Sequence, residues 1–186
     1  MIRVKQAIQT AGVIIDGHFV FADGGHATIK LEMDNLWHHS KELAVVLDAL
    51  AEAKDLPPAD LIIGVPTGGQ RIALELVASK RLSIPIAVLE RVPGGAKQDF
   101  RFASEADKRL ADRAKSIRIY EDVVTTLSSV AGVVKLLDSS KQSIHSLAIW
   151  RRGQVKLEYS RGVTDHYLIE ETIPVFTPKG CPHCNI

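Results

Sequence analysis

The sequence is poor in several features that define large classes of proteins. It has only 2 cysteines in 186 residues, which excludes a disulfide framework and favours a reducing, cytoplasmic compartment. Its 23 basic and 22 acidic side chains nearly cancel, so the positive field needed for sequence-independent nucleic-acid binding is missing. No apolar run approaches the roughly 20 residues of a membrane helix, and a signal-peptide pattern is lacking. We therefore expect a single domain over residues 1–186, with neither nucleic acid nor membrane as a partner.

Helical and strand-like apolar patterns alternate from about residue 39 onward. Residues 39–55 repeat apolar side chains at helical spacing and lead through a Pro-Pro break into the β-rich run "LIIGV". The runs "IPIAVLE", "IRIY" and "IHSLAIW" predict further strands, and "GGQRIALELVASK" and "SVAGVVKLLDSS" predict helices. The charged residues 98–115 predict a solvated helix or a mobile excursion. This alternation predicts an α/β fold with a central parallel sheet flanked by helices and ligands at the carboxyl ends of its strands.

The first part of the chain has a different pattern, which predicts a β-hairpin. Two β-like runs in "GHFVFADGGHATIKLEM" are separated by the turn signal "ADGG". We expect this hairpin to form a small hood over the sheet. Residues 1–38 and 155–186 are expected to contribute the hood and a tail.

The most informative stretch is "IRIYEDVVTTLSSV", residues 117–130. Glu121 and Asp122 end a predicted strand, and four hydroxyl residues follow before the next predicted helix. Hydroxyls and the free N–H groups of a helix start bind phosphate, while paired carboxylates accept hydrogen bonds from vicinal sugar hydroxyls. The stretch therefore predicts a sugar-phosphate site. The alternative is that Ser128 caps the helix and the two acidic residues are merely solvated.

A second glycine-rich turn follows another predicted strand, in "LIIGVPTGGQ". Exposed backbone N–H groups in such a turn can bind pyrophosphate. The turn has neither the Gly-Lys-Ser/Thr ending of a Walker loop nor the GxGxxG spacing of a dinucleotide fold, and a purely structural tight turn explains it equally well. Two loops suited to anion binding, at the ends of neighbouring strands, nevertheless favour a phosphorylated ligand.

Together these motifs resemble those of type I phosphoribosyltransferases, most closely the orotate phosphoribosyltransferase branch. The resemblance runs from about Gly17 to Arg152 and includes the phosphoribosyl-pyrophosphate (PRPP) motif at 117–130, the pyrophosphate loop, the hood hairpin and the strand "LAIWRRG". It implies the type I phosphoribosyltransferase fold and a homodimer. It also implies transfer of the 5-phosphoribosyl group from PRPP to a nitrogenous base, first of all orotate, with release of pyrophosphate.

The resemblance implies roles for individual residues as well. Magnesium is expected to arrive with PRPP and water rather than in a cage of protein carboxylates. The implied catalytic residues are Glu121, Asp122, Arg91 and Lys97. The implied PRPP-binding residues are Glu121, Asp122, Val123, Val124, Thr125, Thr126, Leu127, Ser128 and Ser129, together with Val65, Pro66, Thr67, Gly68 and Gly69. The implied base-binding residues are His26, Thr28, Lys30, Thr125 and Arg151.

Several residues depart from the pattern of the orotate branch. Gly68 stands where a lysine is usual, Leu127 where a glycine is usual, and Trp150 where an acidic residue is common. Lys97, at a shifted position in "ERVPGGAKQDF", either brings positive charge to pyrophosphate or is an ordinary surface lysine. These departures leave open a purine or another acceptor base, and also a protein that binds PRPP or a nucleotide without turnover.

The ending "CPHC" has the spacing of metal ligands. Cys181 and Cys184 offer only two thiolates, whereas zinc needs four ligands. His183, a distant histidine or a second subunit are the candidates to complete a zinc site. The alternative is a reduced tail that is open to oxidation.

Overall fold

The computed structural model describes residues 2–21, 24–53, 56–159 and 161–184, and in these ranges helices alternate with strands. In chain order the elements are α1 (Ile2–Thr10), β1 (Ile14–Val20), β2 (His26–Leu31), α2 (Ser40–Ala51), β3 (Leu61–Gly64), α3 (Gly68–Ala78), β4 (Ile86–Ala87), β5 (Leu89–Arg91), β6 (Phe100–Phe102), α4 (Glu105–Arg113), β7 (Ser116–Val124), α5 (Ser128–Val134), β8 (Ser143–Arg151) and β9 (Thr164–Glu170). None of these helices has the length and apolar character needed to cross a membrane.

Five strands form the central sheet, in the order β4–β3–β7–β8–β9, and every neighbouring pair is parallel. The α/β fold with a central parallel sheet is thus confirmed. Strand β7 lies in the middle, where Tyr120 pairs with Gly64 of β3 and Val124 pairs with Arg151 of β8. This register brings the carboxyl ends of the three central strands to one edge of the sheet.

Helices cover both faces of the sheet, as the alternating pattern predicted. On one face α1, α2 and α3 bury residues such as Leu47 and Leu76 against Ile62 of β3. On the other face α4 and α5 pack against Ile63 and its neighbours. Because both faces are covered, the strands read as continuous apolar runs rather than as alternating ones.

Some elements differ from the sequence-based expectation. The run "IPIAVLE" is divided between β4, which extends the main sheet, and β5, which pairs antiparallel with β6. Between them, the backbone N–H of Val88 donates to Asp107 Oδ1 at 2.9 Å, so that this N–H does not continue a ladder. The charged residues 98–115 form β6 and α4, and Ser104 caps α4 by accepting from the Asp107 backbone N–H. Helix α1 and strand β9 were not predicted.

The hairpin of β1 and β2 and the C-terminal tail are joined by a backbone bridge, and we name the two together the hood. Strands β1 and β2 pair antiparallel as the predicted hairpin, with a register shift between Asp16 and Phe19. Phe176 from the tail forms an isolated antiparallel bridge with His26, and each backbone N–H donates to the other residue's carbonyl at 2.9 and 2.7 Å. Ala22 and Asp23 of the predicted turn, and Lys54 and Asp55 of the predicted helix at 39–55, lie outside the described residues.

Candidate active site at the carboxyl edge of the sheet

The paired carboxylates lie within the last residues of β7, not after it, because the strand continues to Val124. Successive side chains of a strand point to opposite faces. Glu121 accordingly lines a smaller cleft on one side, and Asp122 lines a larger cleft on the other. Val123 and Thr125 line both clefts, so the two spaces adjoin at the end of β7.

The smaller cleft has a volume of about 250 Å³ and is formed by the turn between β7 and α5. Its lining includes Lys97, Gln98, Glu121 and residues 123–130. Within the turn, the Thr126 hydroxyl donates to Ser128 Oγ at 3.1 Å. The position that caps α5 is occupied by Leu127, which makes no side-chain capping hydrogen bond. Ser128 is therefore the first residue of the helix, and its predicted alternative role as the cap is not observed.

Leu127 adopts a left-handed backbone conformation with φ of 74°. Glycine tolerates this conformation freely, whereas a residue with a Cβ atom pays about 1–2 kcal/mol for it. The Leu127 side chain is only 2% exposed and packs in the core between the sheet, α4 and α5. Apolar burial therefore offsets the strained backbone at the position where the orotate branch usually has glycine.

The larger cleft has a volume of about 680 Å³. It lies between the segment that follows β2, the start of α3 and the carboxyl ends of β7 and β8. Its charged and polar lining comprises Glu32, Asp34, Thr67, Gln70, Arg71, Asp122, Thr125 and Arg152. Its apolar lining includes Leu31, Leu36, Trp37 and Ile149. The Arg71 guanidinium lies 3.9 Å from the centre of the Trp37 ring and 3.7 Å from Asp34 Oδ1. The cleft thus combines apolar walls, including the Trp37 ring, with two guanidinium groups and three carboxylates.

The predicted pyrophosphate loop, Val65, Pro66, Thr67, Gly68 and Gly69, is pressed against β7. The Val65 N–H donates to the Tyr120 carbonyl at 2.9 Å, and the peptide bond between Pro66 and Thr67 is cis. A Cβ atom on Gly69 would lie 2.1 Å from the Tyr120 carbonyl oxygen, and one on Gly68 would lie 2.0 Å from Asp122 Oδ2. A lysine at position 68, as the orotate branch usually has, would require Asp122 to move.

Arg91 connects the pyrophosphate loop to the loop that carries Lys97. Its guanidinium donates from Nη2 to the Pro66 carbonyl and from Nη1 to the Lys97 carbonyl. The loop at 92–99 also packs closely on α5, since a Cβ atom on Gly132 would lie 2.2 Å from the Gln98 carbonyl oxygen. Lys97 lines the smaller cleft, and Arg91 joins its backbone to the pyrophosphate loop. The catalytic roles of Arg91 and Lys97 stay predictions.

Glu121 is 7% exposed, and burial raises the pKa of its carboxyl well above the ordinary value. The negative charge of Asp122 raises the pKa further, while the positive charge of Arg91 lowers it. The carboxyl also accepts a hydrogen bond at Oε1 from the Asp122 N–H at 3.0 Å. A carboxyl group with a raised pKa holds its proton more readily, so it can donate as well as accept a hydrogen bond.

The predicted base-binding residues do not all meet at the larger cleft. Thr125 lines it. Thr28 and Lys30 are not among the residues that line it, although Lys30 pairs at 2.5 Å with Oε2 of Glu32, which does. Arg151 donates to Glu170 Oε2 at 2.6 Å and lies 5.3 Å from the Tyr167 ring centre. These roles for Thr28, Lys30 and Arg151 stay predictions.

Arg152 is the cleft residue that sequence reasoning missed. It lines the larger cleft, and its guanidinium lies 5.0 Å from the centre of the Phe21 ring, which belongs to the hood. The neighbouring Trp150 is 2% exposed and donates from Nε1 to the Glu171 carbonyl at 2.9 Å, so it completes the core and does not face a ligand. Side chains alternate between the two faces of a strand, so Arg152 is expected on the same face as Trp150. This alternation is the sequence signal for Arg152.

The predicted metal ligands lie apart from both clefts. Cys181 and Cys184 meet His18 and His26, and one ligand atom from each of these four residues lies within 4.8 Å of all the others. His26 therefore belongs to this cluster and is not among the residues that line the larger cleft. Its base-binding role stays a prediction.

Comparison with known proteins finds relatives along almost the whole chain. Orotate phosphoribosyltransferase of Brucella ovis is 32% identical over 185 residues, which cover 96% of this chain and 89% of the relative. The Thermotoga maritima protein of that name is 26% identical over 182 residues, which cover 97% and 91%. No family model matches the chain.

The solved structures show the class of fold. Orotate phosphoribosyltransferase from Aeropyrum pernix superposes with a TM-score of 0.72 at 25% identity, covering 91% of this chain and 93% of the other. Adenine phosphoribosyltransferase from Trypanosoma brucei shares the fold alone, with a TM-score of 0.65 at 15% identity, covering 96% and 83%. The fold is that of the type I phosphoribosyltransferases, which are enzymes of the pentosyltransferase class. Within that class, the chain belongs to the orotate phosphoribosyltransferase family.

Proposed function

We propose that the protein transfers the 5-phosphoribosyl group from PRPP to orotate and releases pyrophosphate. The observation that carries the proposal is the pair of adjoining clefts at the end of β7, with Glu121 in one and Asp122 in the other. PRPP has a phosphate at one end and its reacting carbon at the other. Two clefts that meet at Val123 and Thr125 fit such a molecule.

The lining of each cleft suggests which part of the substrates it binds. The 5-phosphate occupies the smaller cleft, against the hydroxyl residues of the turn, and the ribose hydroxyls bind Glu121 and Asp122. The pyrophosphate lies along residues 65–69, close to Arg91. The base occupies the larger cleft, where the Arg152 guanidinium binds the orotate carboxylate as a bidentate partner.

The reaction requires no covalent bond to the protein. The bond between the anomeric carbon and the pyrophosphate oxygen breaks, and its electron pair leaves with pyrophosphate. A ring nitrogen of the base then forms a bond to that carbon from the opposite face, and the nitrogen's proton is lost to solvent. The protein contributes by holding the two substrates in line and by placing N–H groups and basic side chains around the developing negative charge.

Three further features of the working enzyme are proposed with this reaction. Magnesium carried by PRPP and water would neutralise negative charge on the pyrophosphate, and the Asp122 carboxylate would be a compatible oxygen ligand. Cys181 and Cys184 bind zinc at a separate site. The protein works as a cytoplasmic homodimer, which rests on the family relationship.

The two adjacent arginines provide a test of where the base binds. Arg152→Ala is expected to raise the KM for orotate at least tenfold and leave the KM for PRPP within about twofold, because one charge-assisted pair contributes roughly 1.5–3 kcal/mol. Arg151→Ala is the matched control, since Arg151 pairs with Glu170 outside the cleft lining. The same rise in both variants, or a rise in Arg151→Ala alone, would contradict the assignment of Arg152.

A further inference from the structure

Four potential metal ligands converge where the hood hairpin meets the C-terminal tail. His18 lies in β1, His26 begins β2, and Cys181 and Cys184 belong to the tail. The His18 Nε2 and His26 Nδ1 atoms are 2.9 Å apart. Cys184 Sγ lies 3.5 Å from the first of these nitrogens and 3.3 Å from the second. Cys181 is fully buried, and its Sγ completes a set in which every ligand atom lies within 4.8 Å of the others.

This geometry matches the spacing of a tetrahedral zinc site. Zinc bonds of about 2.3 Å to sulfur and 2.0–2.1 Å to nitrogen place neighbouring ligand atoms roughly 3.3–3.8 Å apart at tetrahedral angles. The observed separations, from 2.9 Å to at most 4.8 Å, bracket that range. Small side-chain adjustments are therefore sufficient to enclose an ion.

His183 lies between the two cysteines in sequence but is not one of the four ligands. Its ring stacks on His18, with ring centres 5.6 Å apart and an angle of 24° between the planes. Ring stacking supports the orientation of His18 and does not require a bond from His183 to metal. Among the described residues, the four-ligand set is thus completed by two hairpin histidines.

We infer that His18, His26, Cys181 and Cys184 bind one zinc ion and that this ion clamps the tail to the hood hairpin. Two thiols lose their protons to solvent on binding, and the imidazoles bind as neutral rings through His18 Nε2 and His26 Nδ1. The resulting site has no net charge, because two thiolates balance the divalent ion. Two sulfur and two nitrogen ligands in a tetrahedral arrangement select zinc, and four protein ligands leave no open position for catalysis. The ion is therefore structural.

The clamp has a consequence for the larger cleft. The tail and hairpin are also joined by the backbone bridge between Phe176 and His26. Phe21 follows β1 directly and lies over Arg152 in the cleft. Fixing the hairpin therefore fixes one neighbour of Arg152. This consequence for the base rests on the proposed function, whereas metal binding does not.

The test is the metal content of the full-length protein after purification under reducing conditions and after incubation with zinc alone. We expect one zinc per chain in the wild type. Cys184→Ser and His26→Ala are each expected to lower zinc to below a tenth of that value. His183→Ala is the matched control and is expected to keep one zinc per chain. Replacement by cobalt is expected to give a thiolate-to-cobalt charge-transfer band and the intense visible absorption of a tetrahedral site.

Hydrogen–deuterium exchange distinguishes a clamp from adventitious binding. Removing zinc from the wild type is expected to speed exchange in residues 14–31 and 173–184 and to leave the central sheet unchanged. A zinc content below a tenth of an ion per chain after incubation would overturn the inference. So would stoichiometric zinc in both ligand variants, or zinc removal without any change in exchange. Transferase activity is not part of this readout, so its presence or absence tests the proposed function separately.

Discussion

Replacing Glu121 by glutamine is expected to stabilise the protein at alkaline pH while impairing PRPP binding. The carboxyl is almost fully buried beside Asp122, and its pKa is raised by burial and by that neighbouring charge. The folded protein therefore holds the Glu121 proton at pH values where the unfolded chain has released it. This contribution to stability is complete below the ordinary value of 4.5 and is lost as the pH rises through the folded-state pKa.

The size of the effect follows from the linkage between protonation and folding. Each tenfold change in the dissociation constant of the group corresponds to about 1.4 kcal/mol. Glutamine has a similar shape and no charge to bury, so Glu121→Gln is expected to raise the free energy of unfolding at pH 8, by about 1.4 kcal/mol for each tenfold by which folding weakens the Glu121 acid. Near pH 4, where the native carboxyl is protonated as well, the two proteins are expected to differ little.

Urea denaturation at several pH values between 4 and 8 measures the difference. Glu52→Gln serves as the control, because it removes an exposed carboxyl at the end of α2. The gain in stability for Glu121→Gln must increase with pH, and more steeply than any change in the control. A difference independent of pH, or a loss of stability at pH 8, would refute the reasoning. Binding of PRPP by the same variant is expected to weaken at least tenfold, because a ligand of the ribose hydroxyls is altered.

Two further predictions concern backbone geometry around the site. Leu127→Gly and Leu127→Ala both lose a buried side chain, but only glycine relieves the left-handed conformation, so the glycine variant is expected to be the more stable by about 1 kcal/mol in urea denaturation. A more stable alanine variant would contradict that conformation. Gly68→Ala meets the movable carboxyl of Asp122, whereas Gly69→Ala meets the Tyr120 backbone carbonyl. We therefore expect Gly68→Ala to keep its melting temperature but bind PRPP weakly, and Gly69→Ala to melt several degrees lower; equal effects on both properties would argue against this geometry.

The parallel sheet could be predicted because its strands are buried on both faces and therefore read as short apolar runs. Residues 117–124 illustrate both the success and its limit. The run "IRIY" was recognised as a strand, but β7 continues through Glu121 and Asp122 to Val124. Polar residues inside a strand conceal its true end, because the two carboxylates interrupt the apolar pattern. Because β7 continues through both residues, the two carboxylates lie on opposite faces of the sheet.

The contents of the larger cleft were harder to predict. Arg151 was chosen by its resemblance to a family motif, yet the structure brings Arg152 to the cleft lining and pairs Arg151 with Glu170. A shift of one residue at the end of a strand moves a side chain to the other face. The sequence predicts which of the two arginines faces the cleft only after the buried residue before them, Trp150, has been assigned to the correct face of the sheet.

Local sequence patterns do not predict the long-range contacts. The spacing of Cys181 and Cys184 suggested two metal ligands, but nothing in local periodicity connects them with His18 and His26, more than 150 positions earlier. The connection arises because the tail returns to pair with the start of β2. Such convergence depends on the tertiary path of the chain, which spacing alone does not define.

The most direct test of the central claim is pyrophosphate release by the wild-type protein from PRPP and magnesium, with orotate, uracil, adenine and guanine supplied one at a time. We expect release with orotate, accompanied by a nucleoside 5-monophosphate in equal amount, and no more than background release with the other bases. Turnover with another base and not with orotate would contradict the assignment of the acceptor. PRPP binding without turnover on any base would contradict transfer itself and indicate a protein that only binds PRPP.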